Sequence, residues 1–514
     1  MKKSFMNTAV PPRAGMREWM GLAVLALACI LYSMDLTVLH LAIPHISADL
    51  QPSSVQLLWI IDIYGFFVAG SLITLGNLGD RIGRRRLLLI GAITFALTSV
   101  LAAFSTNAEM LIISRALLGV SGATIAPSTL SLIRNMFHDS NQRTAAIGIW
   151  ISSFSAGAAI GPLVGGILIQ YFWWGSVFLL AVPVMGLLLV LGPKLLPEFK
   201  DPKAGRLDII SAALSLATLL FVIYGIKHIA QDGWHLQSII FVGAGVALGV
   251  VFLQRQRKLE YPLIDLRLFR RHTFNTALVT LLLGVFVTFG VFLFLSQYLQ
   301  LILGLSPLEA GMWMLPWALA FVVGSTLTPR IVRRIQPILI IAGGLAVTAV
   351  GFGLLIQIDE STSFLYLSTG LVISSLGIAP VFTLTIDLVV GSAPPERAGA
   401  ASAISETTGE LGGALGIAVL GSIGTSIYRT ELARAIPAGI PPDAQQAAIE
   451  SLGGAKSLVE YLPNGLGYVL FDLALGSFMQ GLQFTVIIST AVAAVTAALV
   501  FVKLRNVRLD SEQN

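Results

Sequence analysis

Charge is what this sequence has least of. Asp, Glu, Lys and Arg make up 11% of its 514 residues, less than half of the roughly 25% found in water-soluble domains. A fold of this size cannot cover itself for water with so few charges, so a soluble globular enzyme is excluded first. Cysteine is nearly absent as well. Cys29 is the only one, so no disulfide forms within the chain, and a small packing role is expected of it. There is no nucleotide-binding glycine loop, no metal-ligating cluster and no nucleophile constellation. The residues therefore support neither an enzyme nor a resident cofactor or metal.

What fills the chain instead is apolar: 55% of residues are hydrophobic. Fourteen apolar segments are read, at 19–44, 57–77, 87–104, 109–133, 144–170, 175–192, 208–229, 236–253, 274–303, 309–329, 337–357, 363–391, 397–427 and 478–503. As a helix, a segment of this length crosses about 30 Å of hydrocarbon. The fold class is all-α and polytopic. The first segment holds Asp35 and runs on to Pro44 without a cleavage site, so it is read as a retained helix and not as a signal peptide.

The net charge of +5 is a topology signal and not a nucleic-acid footprint. With the N-terminus inside, Lys2, Lys3, Arg13, Arg17, the cluster from Arg81 to Arg86, Arg134, Arg143, Lys194, Arg206, Arg255, Arg271, Arg330, Arg334, Arg397, Lys503 and Arg508 all fall on one face. That is the positive-inside pattern. Both termini are expected on the inner, cytoplasmic side. The other face holds little beyond Lys227, Arg429, Arg434 and Lys456.

An internal repeat sorts the segments. Gly79-Asp80-Arg81-Ile82-Gly83-Arg84-Arg85 after segment 2 is echoed by Thr328-Pro329-Arg330-Ile331-Val332-Arg333-Arg334 after segment 10, and Gly157, Ala159, Gly161 and Gly166 by Gly412, Ala414, Gly416 and Gly421. Segments 1–6 and 9–14 are thus two copies, with 7 and 8 inserted. This divides the chain into a cytoplasmic N-terminus (1–18), an N-terminal six-helix half (19–192), a linker with two inserted helices (193–273), a C-terminal half (274–503) and a cytoplasmic tail (504–514). Duplicated halves place a transport site at their interface near the midplane. The stretch from Arg255 to His272 reads as an amphipathic segment on the inner membrane surface. The outer loop 428–477 carries a helical run, Pro442 to Tyr461, and an apolar stretch, Tyr468 to Leu475, that is expected to fold back toward the membrane. A loop of that length is more often functional than a short connector, so gating is a candidate role for it.

Two motifs are specific. Gly76-Asn77-Leu78-Gly79-Asp80-Arg81-Ile82-Gly83-Arg84-Arg85-Arg86 combines turn glycines with an acid and bases that can pair with neighbouring helix ends, which suits a conformational latch. It resembles the signature between helices 2 and 3 of the major facilitator superfamily. Gly157-Ala158-Ala159-Ile160-Gly161-Pro162-Leu163-Val164-Gly165-Gly166 presents Gly157, Gly161, Gly165 and Gly166 as a flat packing face, with a kink at Pro162. It resembles the antiporter signature of drug exporters in that superfamily.

The chemistry rests on ionisable groups inside the apolar segments, where a charge persists only if it faces a partner or water. Asp35 and Asp62 lie in segments 1 and 2, Asp387 in segment 12, and Glu406 and Glu410 in segment 13. Such sites can hold protons or a cation. Glu406 and Glu410 are four apart and share a helix face. Joint ionisation of two such groups is disfavoured. Their counterparts in segment 5 are Ile151 and Ser155, so these acids belong to one half only. Arg115, in Arg115-Ala116-Leu117-Leu118-Gly119, is either a proton-coupling residue or half of a structural ion pair. His40 is a candidate proton relay or a hydrogen-bonded structural residue. Ring faces that could receive a cation are Trp59, Tyr64, Trp150, Phe154, Phe178, Tyr298, Trp313, Trp317, Phe321 and Phe382, although lipid-facing belts use the same residues.

Over nearly its whole length the chain resembles the fourteen-helix drug:proton antiporters of the major facilitator superfamily, the SmvA/QacA/LfrA-like multidrug efflux group. The stretches that carry the likeness are Ser33-Met34-Asp35-Leu36-Thr37-Val38-Leu39, Leu58-Trp59-Ile60-Ile61-Asp62-Ile63-Tyr64, Pro262-Leu263-Ile264-Asp265-Leu266-Arg267-Leu268-Phe269 and segment 13. The resemblance implies proton-driven export of lipophilic cations (quaternary ammonium antiseptics, biguanides, cationic dyes), with Asp35, Asp62, Glu406 and Glu410 as substrate and proton sites. It implies no cofactor, and as partners only small cations, protons and membrane lipid. A monomer is expected. QacA-like members carry a helix 10 acid associated with divalent cations where Phe321 stands here, and adjacent glutamates where this chain has Ser405-Glu406. Monovalent substrates are therefore expected to be preferred. Export of a neutral or anionic molecule such as tetracycline, a siderophore or a lipid is the same-fold alternative, and a channel the alternative of another class.

Overall fold

A computed structural model describes residues 13–504 except Ser53, 201–207, 233–234, Tyr261, 395–396, 438–439, Glu460 and 463–464. Expectations for residues 1–12 and for the tail beyond 504 lie outside the described residues, as do the side chains of His40, Asp62 and Pro162.

The described residues form helices and no strand. The long ones are α1 (Met16–Leu50), α2 (Ser54–Ile82), α3 (Arg84–Ala103), α4 (Ala108–Met136), α5 (Ser140–Tyr171), α6 (Ser176–Leu195), α7 (Ile209–Asp232), α8 (Leu236–Lys258), α9 (His272–Ile302), α10 (Pro307–Val332), α11 (Pro337–Leu355), α12 (Phe364–Gly391), α13 (Ala398–Ala435) and α14 (Leu466–Leu504). Among the described residues, 12 helices are long and apolar enough to cross a membrane. The count of fourteen spans stays an expectation. The two further segments are α2 and α5, helices of 29 and 32 residues in which some side chains are outside the described set.

Polar residues start the helices where the chain turns at a membrane border. Asn107, Asp139 and Ser363 accept from the N–H groups of Met110, Gln142 and Tyr366. Ser306 and Glu309 cap each other reciprocally, with Pro307 at the first helical position. These side chains satisfy N–H groups that no helical carbonyl can reach. At the α2–α3 turn Gly83 has φ 111°, a conformation that excludes a side chain, and its Cα faces Glu198.

The repeat is physical. In the first half Gly157 and Gly161 of α5 sit against the backbone of Ile30 and Met34 in α1. In the second, Gly412 and Gly416 of α13 sit against the carbonyls of Leu282 and Phe286 in α9. Each pair of glycines is four apart, as is each pair of residues it meets, so one helix crossing is built twice. The inserted α7 and α8 pack on each other through Gly225 and Gly245, while α7 rests on α2 at Gly70. At their basic ends Arg255 donates to both oxygens of Asp208 at 2.7 and 3.0 Å. That bond holds the Asp208 carboxyl well below the usual carboxylate range.

Two segments differ from expectation. Tyr468–Leu475 does not fold back; it forms the first turns of α14, which starts at Leu466. An apolar run with no breaker simply continues the helix. The outer-loop run does form short helices, Pro442–Glu450 and Leu452–Ser457. They pack onto the second half, with the Tyr428 hydroxyl donating to the Ala448 carbonyl at 2.5 Å. The other difference is the stretch from Arg255 to His272. Its Leu263, Ile264 and Leu268 are buried in protein and do not lie on lipid.

The halves meet at their basic ends. Gly76 of α2 abuts Gly399 and Ala403 of α13, and Gly148 of α5 abuts Ser325 of α10. The structure is closed on that face.

Candidate functional site

Inside the first half, Arg115 of α4 donates from Nη1 to Asp35 of α1 at 2.7 Å, and from Nε to the Ile60 carbonyl at 3.3 Å. Its guanidinium lies 4.6 Å from the Tyr64 ring centroid and 6.0 Å from that of Phe178. The two charged side chains are 1% and 11% exposed. A base this deep requires a counter-charge, and Asp35 supplies it. Arg115 is thus ion-paired with Asp35. Phe178 belongs to this pair's surroundings: with Asp35, Leu31 and Phe95 it lines a small cavity of about 10 Å³ within the first half.

Across from this pair, α13 carries Glu406 half-buried and Glu410 exposed. Glu406 pairs with no described base. It lies within electrostatic reach of Glu410, Tyr32 and Cys29. Glu410 lies within reach of Tyr32 and Tyr64. The acids of the second half thus lie within electrostatic reach of an aromatic wall of the first. Tyr32 and Tyr64 are 6.2 Å apart, Phe154 stands edge-on to Tyr32 at 5.8 Å, and Trp150 meets Phe154 at 4.8 Å. Trp150 Nε1 donates to Thr129 Oγ1 at 2.9 Å, which fixes the indole plane, and Thr129 also contacts Cys29 Sγ at 3.7 Å. Ring faces beside carboxylates form a surface that attracts a cation without a metal's ligand geometry.

Two members of this wall stand out. Tyr64 is fully buried, and its hydroxyl has no hydrogen-bond partner among the described residues; buried polar atoms in that condition are rare. Gly122 leaves it room, since a Cβ there would lie 3.0 Å from the hydroxyl. Tyr32 was not among the residues singled out in the sequence. The available signal was its spacing: Tyr32 precedes Asp35 by three and follows Cys29 by three, so all three lie on neighbouring turns of α1.

The other candidates separate by location. Trp317 stacks on Phe321 at 5.1 Å, with Phe292 at 4.9 Å from Trp317 and Phe382 at 6.0 Å from Phe321. Trp317, Phe321 and Phe382 join the same apolar cluster as Tyr32, Tyr64 and Trp150. Trp59 instead stacks on Tyr224 of α7, Trp313 meets Phe364, and the Tyr298 hydroxyl donates to the Asp359 carbonyl at 2.7 Å. These three pack against other partners and are not brought to the wall.

At the basic face Asp80 pairs with Arg84 and accepts from the Ala400 N–H at the start of α13, at 3.2 Å. Arg81 donates to Asn77 and Arg84 to the Gly76 carbonyl. Arg85 reaches Glu198 and the carbonyls of Pro193 and Leu196. Asp387 of α12 is bonded across the halves to Arg143 at 2.9 Å and Thr144 at 2.8 Å. It lies at this closure and not with the α13 acids.

An all-helical membrane fold with such a closure between α2 and α13 has relatives among known proteins. Residues 25–417 match the Major Facilitator Superfamily. The chain belongs to the major facilitator superfamily. This facilitator is 41% identical over 505 residues to the multidrug efflux pump LfrA of Mycolicibacterium smegmatis, covering 98% of this chain and all of the relative. It is 35% identical over 464 residues to the methyl viologen resistance protein SmvA of Salmonella typhimurium, covering 90% and 93%. It is 32% identical over 504 residues to the tetracenomycin C resistance and export protein of Streptomyces glaucescens, covering 96% and 93%. Among solved structures, the facilitator fold matches a bacterial homologue of the human lysosomal transporter Spinster in an inward-facing conformation, with TM-score 0.58, 17% identity and coverage of 95% and 98%. It also matches the human organic anion transporter MFSD10, with TM-score 0.57, 17% identity and coverage of 91% and 99%. The facilitator is thus a multi-pass membrane transporter.

Proposed function

We propose that this facilitator is a proton-coupled antiporter. It exports lipophilic organic cations, such as quaternary ammonium antiseptics, biguanides and cationic dyes, from the cytosol or inner leaflet of a bacterial inner membrane. The observation that carries this reading is Glu406: a carboxylate of the second half that pairs with no described base, one helical turn from Glu410 and within electrostatic reach of Tyr32 of the first half. The names of the relatives, multidrug efflux pump and methyl viologen resistance protein, support the same direction of transport.

In this mechanism the basic face is cytoplasmic and both termini lie inside. From an inward-open state a cation enters and displaces protons from Glu406 and Glu410, with ring faces holding its apolar body. The face then closes through Asp80 and Asp387, and protons arriving from outside release the cation. Asp35 keeps Arg115 neutralised throughout. One proton exchanged for one monovalent cation is electroneutral and uses the pH gradient alone, about 1.4 kcal/mol per unit. A second proton adds roughly 2.3 kcal/mol per 100 mV.

The test is purified protein in vesicles containing a pH-sensitive dye. Addition of ethidium or benzalkonium is expected to evoke proton flux that Glu406→Gln removes. Full flux in that variant, or flux evoked by tetracycline and not by cations, overturns the reading. The stack at Phe321 offers rings but no acid, which favours monovalent cations. Faster export of methyl viologen or pentamidine than of ethidium would overturn that finer point.

A further inference from the structure

The chain between α8 and α9 is a strap across the joint of the two halves. Leu263 is held through both of its backbone groups: its N–H donates to Gln256 Oε1 of α8 at 2.7 Å, and its carbonyl accepts from Asn77 Nδ2 of α2 at 3.0 Å. Asn77 belongs to the Asp80 motif of the first half. Two residues on, Asp265 pairs at 2.6 Å with Arg397, which directly precedes α13 of the second half. The other oxygen of Asp265 caps the Arg267 N–H at 3.0 Å and shapes the turn between. Arg271 then donates to the Ser392 carbonyl at the end of α12 at 2.9 Å.

The apolar side chains follow the same plan. Leu263, Ile264 and Leu268 are 1%, 8% and 6% exposed, in one cluster with Phe66 and Ile73 of α2 and with Ala401 and Ile404 of α13. An interfacial helix would turn these residues to lipid. Here both halves cover them, and Arg267 points outward, 90% exposed.

Leu263 and Asp265 are thus anchored to opposite halves with one residue between them, a stretch that spans about 7 Å at full extension. When the halves part at the basic face, both anchors cannot hold. We infer that residues 262–271 are a third clasp of this gate, acting beside Asp80–Ala400 and Asp387–Arg143, and that one of the strap's anchors releases whenever the face opens. The two inserted helices then have a role in the cycle, because Gln256 ties the strap to α8 and the Gln256 amide also donates to Ser211 of α7 at 2.7 Å.

The inference rests on alternating access and not on the cation or proton part of the reading above, so its test needs no substrate. Spin labels at His138→Cys and Arg334→Cys, exposed inner turns of opposite halves, report the opening of the basic face. Cys29 is fully buried and is not labelled. In nanodiscs, Asp265→Asn and Arg397→Gln are each expected to enlarge the long-distance population roughly two- to fivefold, the range for a partly exposed ion pair. Arg397→Lys is expected to preserve the native distribution. Glu431→Gln removes a charge that pairs with Arg434 within α13, away from the basic face, and is expected to change nothing. Two native populations unmoved by both Asp265→Asn and Arg397→Gln overturn the clasp alone. A native protein with a single, short distance overturns alternating access and the clasp together.

Discussion

The two halves share a helix crossing but treat buried charge in opposite ways. In α1, Asp35 has a base beside it, and the Asp35–Arg115 pair is closed among Ile60, Tyr64 and Phe178. In α13, Glu406 stands where the copy in α5 has Ile151, and no described base approaches it. A paired acid is part of the packing, and its loss leaves a buried charge behind. An acid without a base is costly to the fold unless it exchanges protons or cations, which is the work in transport proposed for Glu406.

The largest effect is expected from breaking the paired side. Arg115→Gln leaves Asp35 alone and should cost about 3–5 kcal/mol, read as thermal stability in detergent; the double variant Arg115→Gln with Asp35→Asn should recover much of it. If the double variant is no better than the single, the pair is not what stabilises this half. The other side should respond in reverse. Glu406→Gln is expected to leave stability unchanged or raised while coupled flux falls about 10- to 100-fold, the loss of a charged contact worth roughly 1.5–3 kcal/mol. A destabilised but fully active variant would invert the comparison.

The shared crossing gives a symmetrical pair. Gly157→Val and Gly412→Val should each cost about 1–3 kcal/mol by overpacking against Ile30 and Leu282. Unequal losses would mean that the two copies no longer bear the same load. The smallest effect is at Asp208. Its folded carboxyl is depressed by Arg255, so its contribution is present above the ordinary Asp range and fades as pH falls through the folded value. Asp208→Asn should lower the neutral plateau slightly, leave stability at strongly acid pH nearly unchanged and so flatten the acid branch of the profile.

Several features were legible along the chain. Apolar runs placed most of the helices within a few residues, because in a bilayer each span must satisfy its own backbone; the last helix starts 12 residues before the segment read for it. The spacing of Gly157, Gly161, Gly412 and Gly416 marked the duplicated crossing, because close approach needs missing side chains at one face. Glu406 and Glu410 were legible because acids in apolar runs are conspicuous. The partners were not. Asp35 and Arg115 are 80 positions apart, and Arg143 and Asp387 are 244 apart. Trp59, Trp313 and Tyr298 look in sequence like Trp150 and Phe154, yet helix rotation sends them elsewhere.

The sequence by itself determined the solvent, the span lengths, the repeat and the identity of the ionisable groups, since each follows from local composition and period. Only the tertiary structure decided which acid is neutralised, which ring lies within reach of Glu406 and whether residues 262–271 lie on lipid or under protein. Those outcomes depend on how far each helix is rotated about its axis. Neighbouring helices set that rotation through contacts hundreds of residues away, and no local pattern encodes it.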